Sequence, residues 1–177
     1  PSTFCPMDSG RAGMSYGAPW GTSLKVMTAA TCLILVAVAV SGVVTSEGDV
    51  TRIAVTVGIP VLLLLAALPF VVRGYRLEGG RLVVRRLLWE TVVDLDGLRS
   101  ARHDPGAMSG SIRTFGNGGL FSFTGRFRNS SLGPYRAWVT DPKLAVVIEL
   151  PDRTLVVSPD RPGEMAERLS RLSPEAG

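Results

Sequence analysis

Hydrophobic and polar positions along the chain fall into three regimes. Two unbroken apolar runs come first, Val26–Val44 and Ile53–Val72, and neither contains a charge. Each matches the roughly 20 residues that a helix rising about 1.5 Å per residue needs to cross a ~30 Å hydrocarbon core. The connector Thr45–Arg52, with Glu47, Gly48 and Asp49, is too short to be more than a turn. The pattern predicts a transmembrane helical hairpin over residues 24–72. Helices satisfy their own backbone hydrogen bonds, so they can cross lipid where an open sheet cannot. Gly58, Pro60 and Pro69 fall in the second run. Lipid tolerates such residues, and a break is expected near the exit at Pro69. With no ionisable group inside either run, no ion path or proton relay is indicated.

After Arg73 the period becomes two. Tyr75-Arg76-Leu77, the turn Glu78-Gly79-Gly80 and the alternating Arg81–Leu87 predict a β-hairpin. Further strands are expected at Trp89–Leu95, Leu98–His103, Leu120–Arg128, Tyr135–Thr140, Leu144–Leu150 and Thr154–Ser158. A long glycine-bearing loop, Asp104–Gly119, is expected to interrupt them. In Leu120–Arg128, Phe121, Phe123 and Phe127 should face the core, and Ser122, Thr124, Arg126 and Arg128 should face water. The third regime has helical spacing. Asp160 is placed to cap a helix over Arg161–Leu172, with Met165, Ala166, Leu169 and Leu172 on one stripe. The fold class expected is a membrane α-helical hairpin plus an α+β, mainly-β domain over residues 73–177. About seven antiparallel strands would form a bent sheet or partial barrel, plugged at its open end by the C-terminal helix.

Residues 1–23 are rich in Pro, Ser, Gly and Ala, without periodicity, and are expected to be a disordered tail. A cleaved signal peptide is the rival for the first run, with Ala37-Val38-Ala39 as its triplet, but apolar residues continue to Val44. Cys5 and Cys32 sit in the tail and in the first span, which argues against a disulfide framework. The net charge of +4 arises from 19 Lys+Arg against 15 Asp+Glu. Arg73, Arg76, Arg81, Arg85 and Arg86 crowd the exit of the second span, and Lys25 precedes the first. By the positive-inside rule both termini are cytoplasmic. Heavy use of Arg, Ala, Val and Gly points to a GC-rich bacterial genome, hence to a multi-pass protein of the bacterial inner membrane.

The strand and helix order, with several local sequences, resembles the bacterial PH-domain family. The carriers are Tyr75-Arg76-Leu77 with Leu82-Val83-Val84, then Arg113-Thr114-Phe115-Gly116-Asn117-Gly118-Gly119, Gly125-Arg126-Phe127, and Val157-Ser158-Pro159-Asp160. The resemblance covers residues 73–172, and two spans ahead of such a domain fit the family's arrangement. It implies a PH-like fold and leaves the activity open. Phosphoinositide-binding PH domains typically set several basic residues around the first hairpin turn. Here that turn is Glu78-Gly79-Gly80, so inositol-phosphate binding does not carry over.

Candidate chemistry is sparse. His103 is the single histidine, followed by Asp104, and no Gly-x-Ser-x-Gly elbow exposes a serine. One histidine and two distant cysteines leave no zinc site of the usual type, and no cofactor is expected. The glycines after Phe115 lack the Lys and Ser or Thr of a phosphate loop, and read as a bend or a close backbone approach. The candidates for binding a partner or lipid are arginines: Arg76, Arg81 and Arg85 by the first hairpin, and Arg113, Arg126, Arg128 and Arg136 on the later strands. The latter four would form one basic patch if their strands are neighbours. The reading is a membrane-anchored, non-catalytic PH-like module on the cytoplasmic face that recruits or orients a protein partner. The alternative is binding of anionic lipid headgroups by an arginine-rich sheet face. A hydrolase using His103 is a third class. Nucleic acid is not an expected partner.

Overall fold

The computed structural model describes residues 13–118 and 120–172. Two helices lead. α1 is Thr22–Val44 and α2 is Val50–Ala67, followed by a 3-10 turn, Leu68–Phe70. Both are long and apolar enough to cross a membrane. They start earlier than the apolar runs, because the polar residues flanking each run are helical too. Asp49 caps α2 by accepting from the Thr51 and Arg52 amides, and Glu47 and Gly48 take positive φ to reverse the chain. α2 continues through Pro60, and the helix changes pitch at Pro69, as expected. Gly42 lets the helices approach, since a Cβ there would strike the Thr56 side chain.

The remaining elements form two sheets. The first contains β1 (Met14–Gly17), β2 (Val72–Glu78), β3 (Arg81–Arg86) and β4 (Glu90–Asp94), in that order across the sheet. The second contains β5 (Ser100–His103), β6 (Ile112–Gly118), β7 (Phe123–Asn129), β8 (Gly133–Val139), β9 (Val146–Glu149) and β10 (Thr154–Val157), in the order β5-β9-β10-β8-β7-β6. α3 (Pro162–Ser170) closes the chain. A PH-like mainly-β region with a C-terminal helix is therefore present, with more strands than expected.

Besides the loop expected over Asp104–Gly119, in which Ile112–Gly118 is instead the strand β6, four expectations need correction. Met14–Gly17 is an edge strand antiparallel to β2, with Tyr16 opposite Tyr75, so this part of the tail is ordered; residues 1–12, Cys5 among them, lie outside the described residues. Tyr16 is buried in the core, which supplies the burial that orders so short a strand. Second, β10 lies parallel to β8, between it and β9. Leu155 and Val157 pack on one side of the sheet and Val156 on the other, so a strand buried on both faces takes a central place. Third, Phe121 is outside any strand, at φ 65°, while Ser122 and Thr124 are buried. Ser122 donates to the Phe70 carbonyl at 2.6 Å and meets the Thr124 hydroxyl at 2.8 Å, so these polar groups face the exit of α2 and not water. Fourth, Arg161, not Asp160, is the residue capping α3, and it makes no side-chain cap bond. The Asp160 amide instead bonds the Gly17 carbonyl.

The main core lies between the sheets. Tyr75, Leu82 and Val84 of the first meet Trp138, Ile148 and Leu155 of the second, and Met165, Ala166 and Leu169 of α3 close one end. A smaller cluster, with Phe127, Tyr135, Val139, Val147 and Val156, occupies the far face of the second sheet under Ala107 and Met108. Asn129 pins that covering segment by donating to the Ala107 carbonyl and to Ser111. Between the sheets the Tyr75 hydroxyl donates to the Trp138 carbonyl at 2.6 Å and accepts from the Ser158 amide at 3.2 Å.

Two outcomes are expected. Tyr16→Ala should cost about 3–5 kcal/mol, by analogy with emptying an aromatic core site, and should speed hydrogen exchange across Met14–Gly17; an unchanged melt would mean that β1 is dispensable. Burial pushes the Tyr75 pKa up to about 12 from an ordinary value of 10.0. The fold thus favours the neutral phenol. Its contribution is full below pH 10 and is lost between pH 10 and 12, a fall of about 2–3 kcal/mol at ~1.4 per unit. Urea titrations of Tyr75→Phe should show a loss of about 1–3 kcal/mol at neutral pH from two unpaired buried groups, and a flatter alkaline limb than the parent.

Candidate functional site

The seven arginines singled out from the sequence divide into three groups. Those of the first hairpin are neutralised locally. Arg76 lies 3.3 Å from Glu78, Arg81 2.7 Å from Asp94 and Arg85 3.6 Å from Glu90. The last two pairs sit directly across the β3/β4 ladder, where opposite charges face each other by register. Arg113 stands apart: it is opposite Phe127, and it lines a groove with Met27, Met108 and Phe123. The strand's bulge between Arg113 and Phe115 brings Phe115, not Arg113, opposite Arg126.

Arg126, Arg128 and Arg136 do converge. Arg126 and Arg136 are direct partners across β7 and β8, and Arg128 follows on the same face. Among the described residues none of the three has a carboxylate within ion-pair distance. A fourth guanidinium, that of Arg86 at the end of β3, joins them from the first sheet. A cavity of about 340 Å³ lies between, lined by Arg86, Arg126 and Arg136 with Phe70, Phe115 and Trp138.

Tryptophan rings position two of these cations. The Arg136 guanidinium carbon sits 4.8 Å from the Trp138 ring centroid. That of Arg86 lies 5.6 Å from Trp89 and 6.0 Å from Trp138. Stacking on the ring faces leaves guanidinium N–H edges free for an acceptor. The half-buried Arg86 has its pKa lowered by burial, and further by the positive charge of Arg136. The Arg86 Nε and the Trp138 Nε1 are both buried without a hydrogen-bond partner. Both atoms can only donate. The cavity lining is rich in positive charge, from Arg86, Arg126 and Arg136, and its chemistry suits an anion.

Two glycines of the cavity wall let their strands approach closely. Gly116 and Gly125 are opposite each other on β6 and β7, at φ 114° and 146°. A Cβ on either would strike the facing backbone, at the Thr124 carbonyl or the Phe115 carbonyl. This is the close approach that the glycines after Phe115 suggested. Phe70 and Phe115 also line a second, apolar cleft with Leu63, Ala66 and Ala67 of α2, so the basic cavity opens onto the end of that helix.

Arg86, which is not among the seven arginines singled out from the sequence, lines the cavity beside Arg126 and Arg136. It follows Arg85, and alternation along β3 turns the two to opposite faces. That alternation was readable, but its tryptophan neighbours come from β8 and the β3–β4 turn, and only folding brings them close. His103 is exposed, its Nε2 3.2 Å from the Lys143 carbonyl, while the Asp104 carboxylate accepts from the Gly106 amide. Among the described residues no three His, Cys, Asp or Glu side chains cluster to hold a metal.

No curated protein and no solved structure matches this chain. A family model described as bacterial PH domain matches residues 73–173. PH domains are in general non-catalytic modules that bind lipids or proteins. With that match running from β2 through α3, over more than half of its length, the chain belongs to the bacterial PH domain family.

Proposed function

We propose that this chain is a non-catalytic binding module anchored in the bacterial inner membrane by its helical hairpin. The PH-like domain and both termini lie on the cytoplasmic side, where the domain recruits or orients a partner at the membrane surface. One observation carries the reading: hairpin and domain are tied at both ends. β1 leads into α1 and β2 follows α2, and these two strands pair with each other. The Gly21 amide also bonds the Thr140 carbonyl, and the Phe121 amide bonds the Thr28 hydroxyl on α1. A domain held by two such ties is aimed as well as tethered.

The solvent of the helices supports the membrane reading. Leu33, Ile34, Val36 and Val44 of α1, and Val50, Leu62 and Leu65 of α2, project outward uncovered. Apolar side chains all round a helix suit lipid and are costly in water. Arg73, Arg76, Arg81, Arg85 and Arg86 after α2 support the cytoplasmic placement. Trp20 packs against Phe121, and Phe70 meets Trp89 edge-on, beside the exposed Leu87 and Leu88. Such an aromatic and apolar rim around the helix ends suits the interfacial layer of a bilayer. The arginine cavity supports the second reading, anionic lipid.

The test uses the full chain, tagged at its C-terminus, in bacterial cells. Carbonate washing should leave it in the membrane pellet, and protease added outside intact cells should leave the tag and domain uncut. Release by carbonate would overturn the anchor, and external digestion of the domain would overturn the orientation.

A further inference from the structure

We infer that the cavity of Arg86, Arg126 and Arg136 binds the phosphate-bearing headgroup of a single anionic phospholipid, whose acyl chains lie along Leu63, Ala66 and Ala67 of α2. The inference rests on the proposal that α1 and α2 lie in a bilayer. It differs from a general attraction between a basic surface and lipid, because it assigns one cavity and excludes most of the arginines near it.

Three features select the ligand. Charge is first. Arg86, Arg126 and Arg136 approach one another with no carboxylate in the cavity wall, while Arg76, Arg81 and Arg85 are each matched by an acid. Like charges brought together at partial burial are costly until a counter-charge arrives. A phosphate offers several acceptor oxygens to fork-shaped donors, the geometry for which guanidinium groups are suited. Size is second. A cavity of about 340 Å³ falls within the range of small-ligand sites and accommodates a headgroup, not a folded partner.

The apolar lip is third, and it decides between sources of phosphate. Phe70, Phe115 and Gly116 border both the basic cavity and the cleft along Leu63, Ala66 and Ala67. A free phosphate has no apolar part to place in such a cleft. A phospholipid has a charged end and an apolar end, separated as the two cavities are. The Phe70 carbonyl, tied to Ser122, fixes the join between them. Arg113 and Arg128 are outside the cavity lining and are assigned no part in it.

The full chain is placed in phosphatidylcholine nanodiscs containing a minority of phosphatidylglycerol, then extracted in mild detergent for native mass spectrometry. The parent should retain one phosphatidylglycerol. Arg86→Gln with Arg136→Gln should lower that retention at least tenfold, and Arg81→Gln with Arg85→Gln should leave it unchanged. Because Arg86 touches the core, the exposed Arg136→Gln alone serves as a second variant, with a loss of several fold expected. Inorganic phosphate at millimolar concentration should not displace the lipid. Equal retention by the cavity variants, or an equal loss in the Arg81 and Arg85 control, overturns the inference. Displacement by inorganic phosphate overturns the assignment of the acyl chains. A protein that stays in the membrane but shows no lipid preference sinks this inference alone, whereas release from the membrane sinks the anchor beneath it.

Discussion

The antiparallel ladder between Met14–Gly17 and Val72–Glu78 joins the two ends of the helical hairpin. Chain enters α1 from one of these strands and leaves α2 into the other. Backbone hydrogen bonds between them set the spacing and direction of both helix ends at once. Tyr16 adds side-chain burial beside Tyr75, so the ladder belongs to the core and is no surface ornament. Gly74 has a part here. A Cβ at that position would press on the Tyr16 carbonyl, and without one the edge strand can dock closely. Because the edge of the sheet is covered by β1, β2 presents no free edge on that side for pairing with another chain.

From this joint the rest of the domain follows in layers. The first sheet lies on the second through Tyr75, Leu82, Val84, Trp138 and Leu155. Trp138 has an inner and an outer role. Its carbonyl anchors the buried Tyr75 hydroxyl, and its ring carries the Arg86 and Arg136 cations. The main core and the basic cavity thus share a wall. The cost of holding Arg86 and Arg136 close together is offset locally by the ring faces beside them.

The first hairpin shows a contrasting use of the same residue type. Its arginines are cross-strand partners of Asp94 and Glu90 or a near neighbour of Glu78, all at exposed positions where each pair contributes about 0–1 kcal/mol. They brighten the electrostatic map of the sequence but leave little unbalanced charge in space. Fewer arginines, Arg86, Arg126 and Arg136, remain where no acid follows them in register.

Much of the architecture was legible from periodicity. Apolar runs without charge specify two helices long and apolar enough to cross a membrane, and Gly79-Gly80 specifies a tight hairpin because both take positive φ. The alternation in β2, β3 and β7 and the helical stripe of Met165, Ala166 and Leu169 are local consequences of backbone geometry. Runs such as Leu155-Val156-Val157 even carried a sign of central, doubly buried strands. What lay outside local pattern was pairing between distant segments. Met14–Gly17 has no periodicity to betray a strand, because its order comes from the β2 edge waiting some sixty residues later. The insertion of β10 between β8 and β9, and the meeting of Arg86 with Arg136 over one tryptophan, likewise depend on which strands become neighbours. Composition supplied the arginines; only tertiary contact decided which were cancelled by acids and which were not, since charge compensation is a matter of distance in space and not of position along the chain.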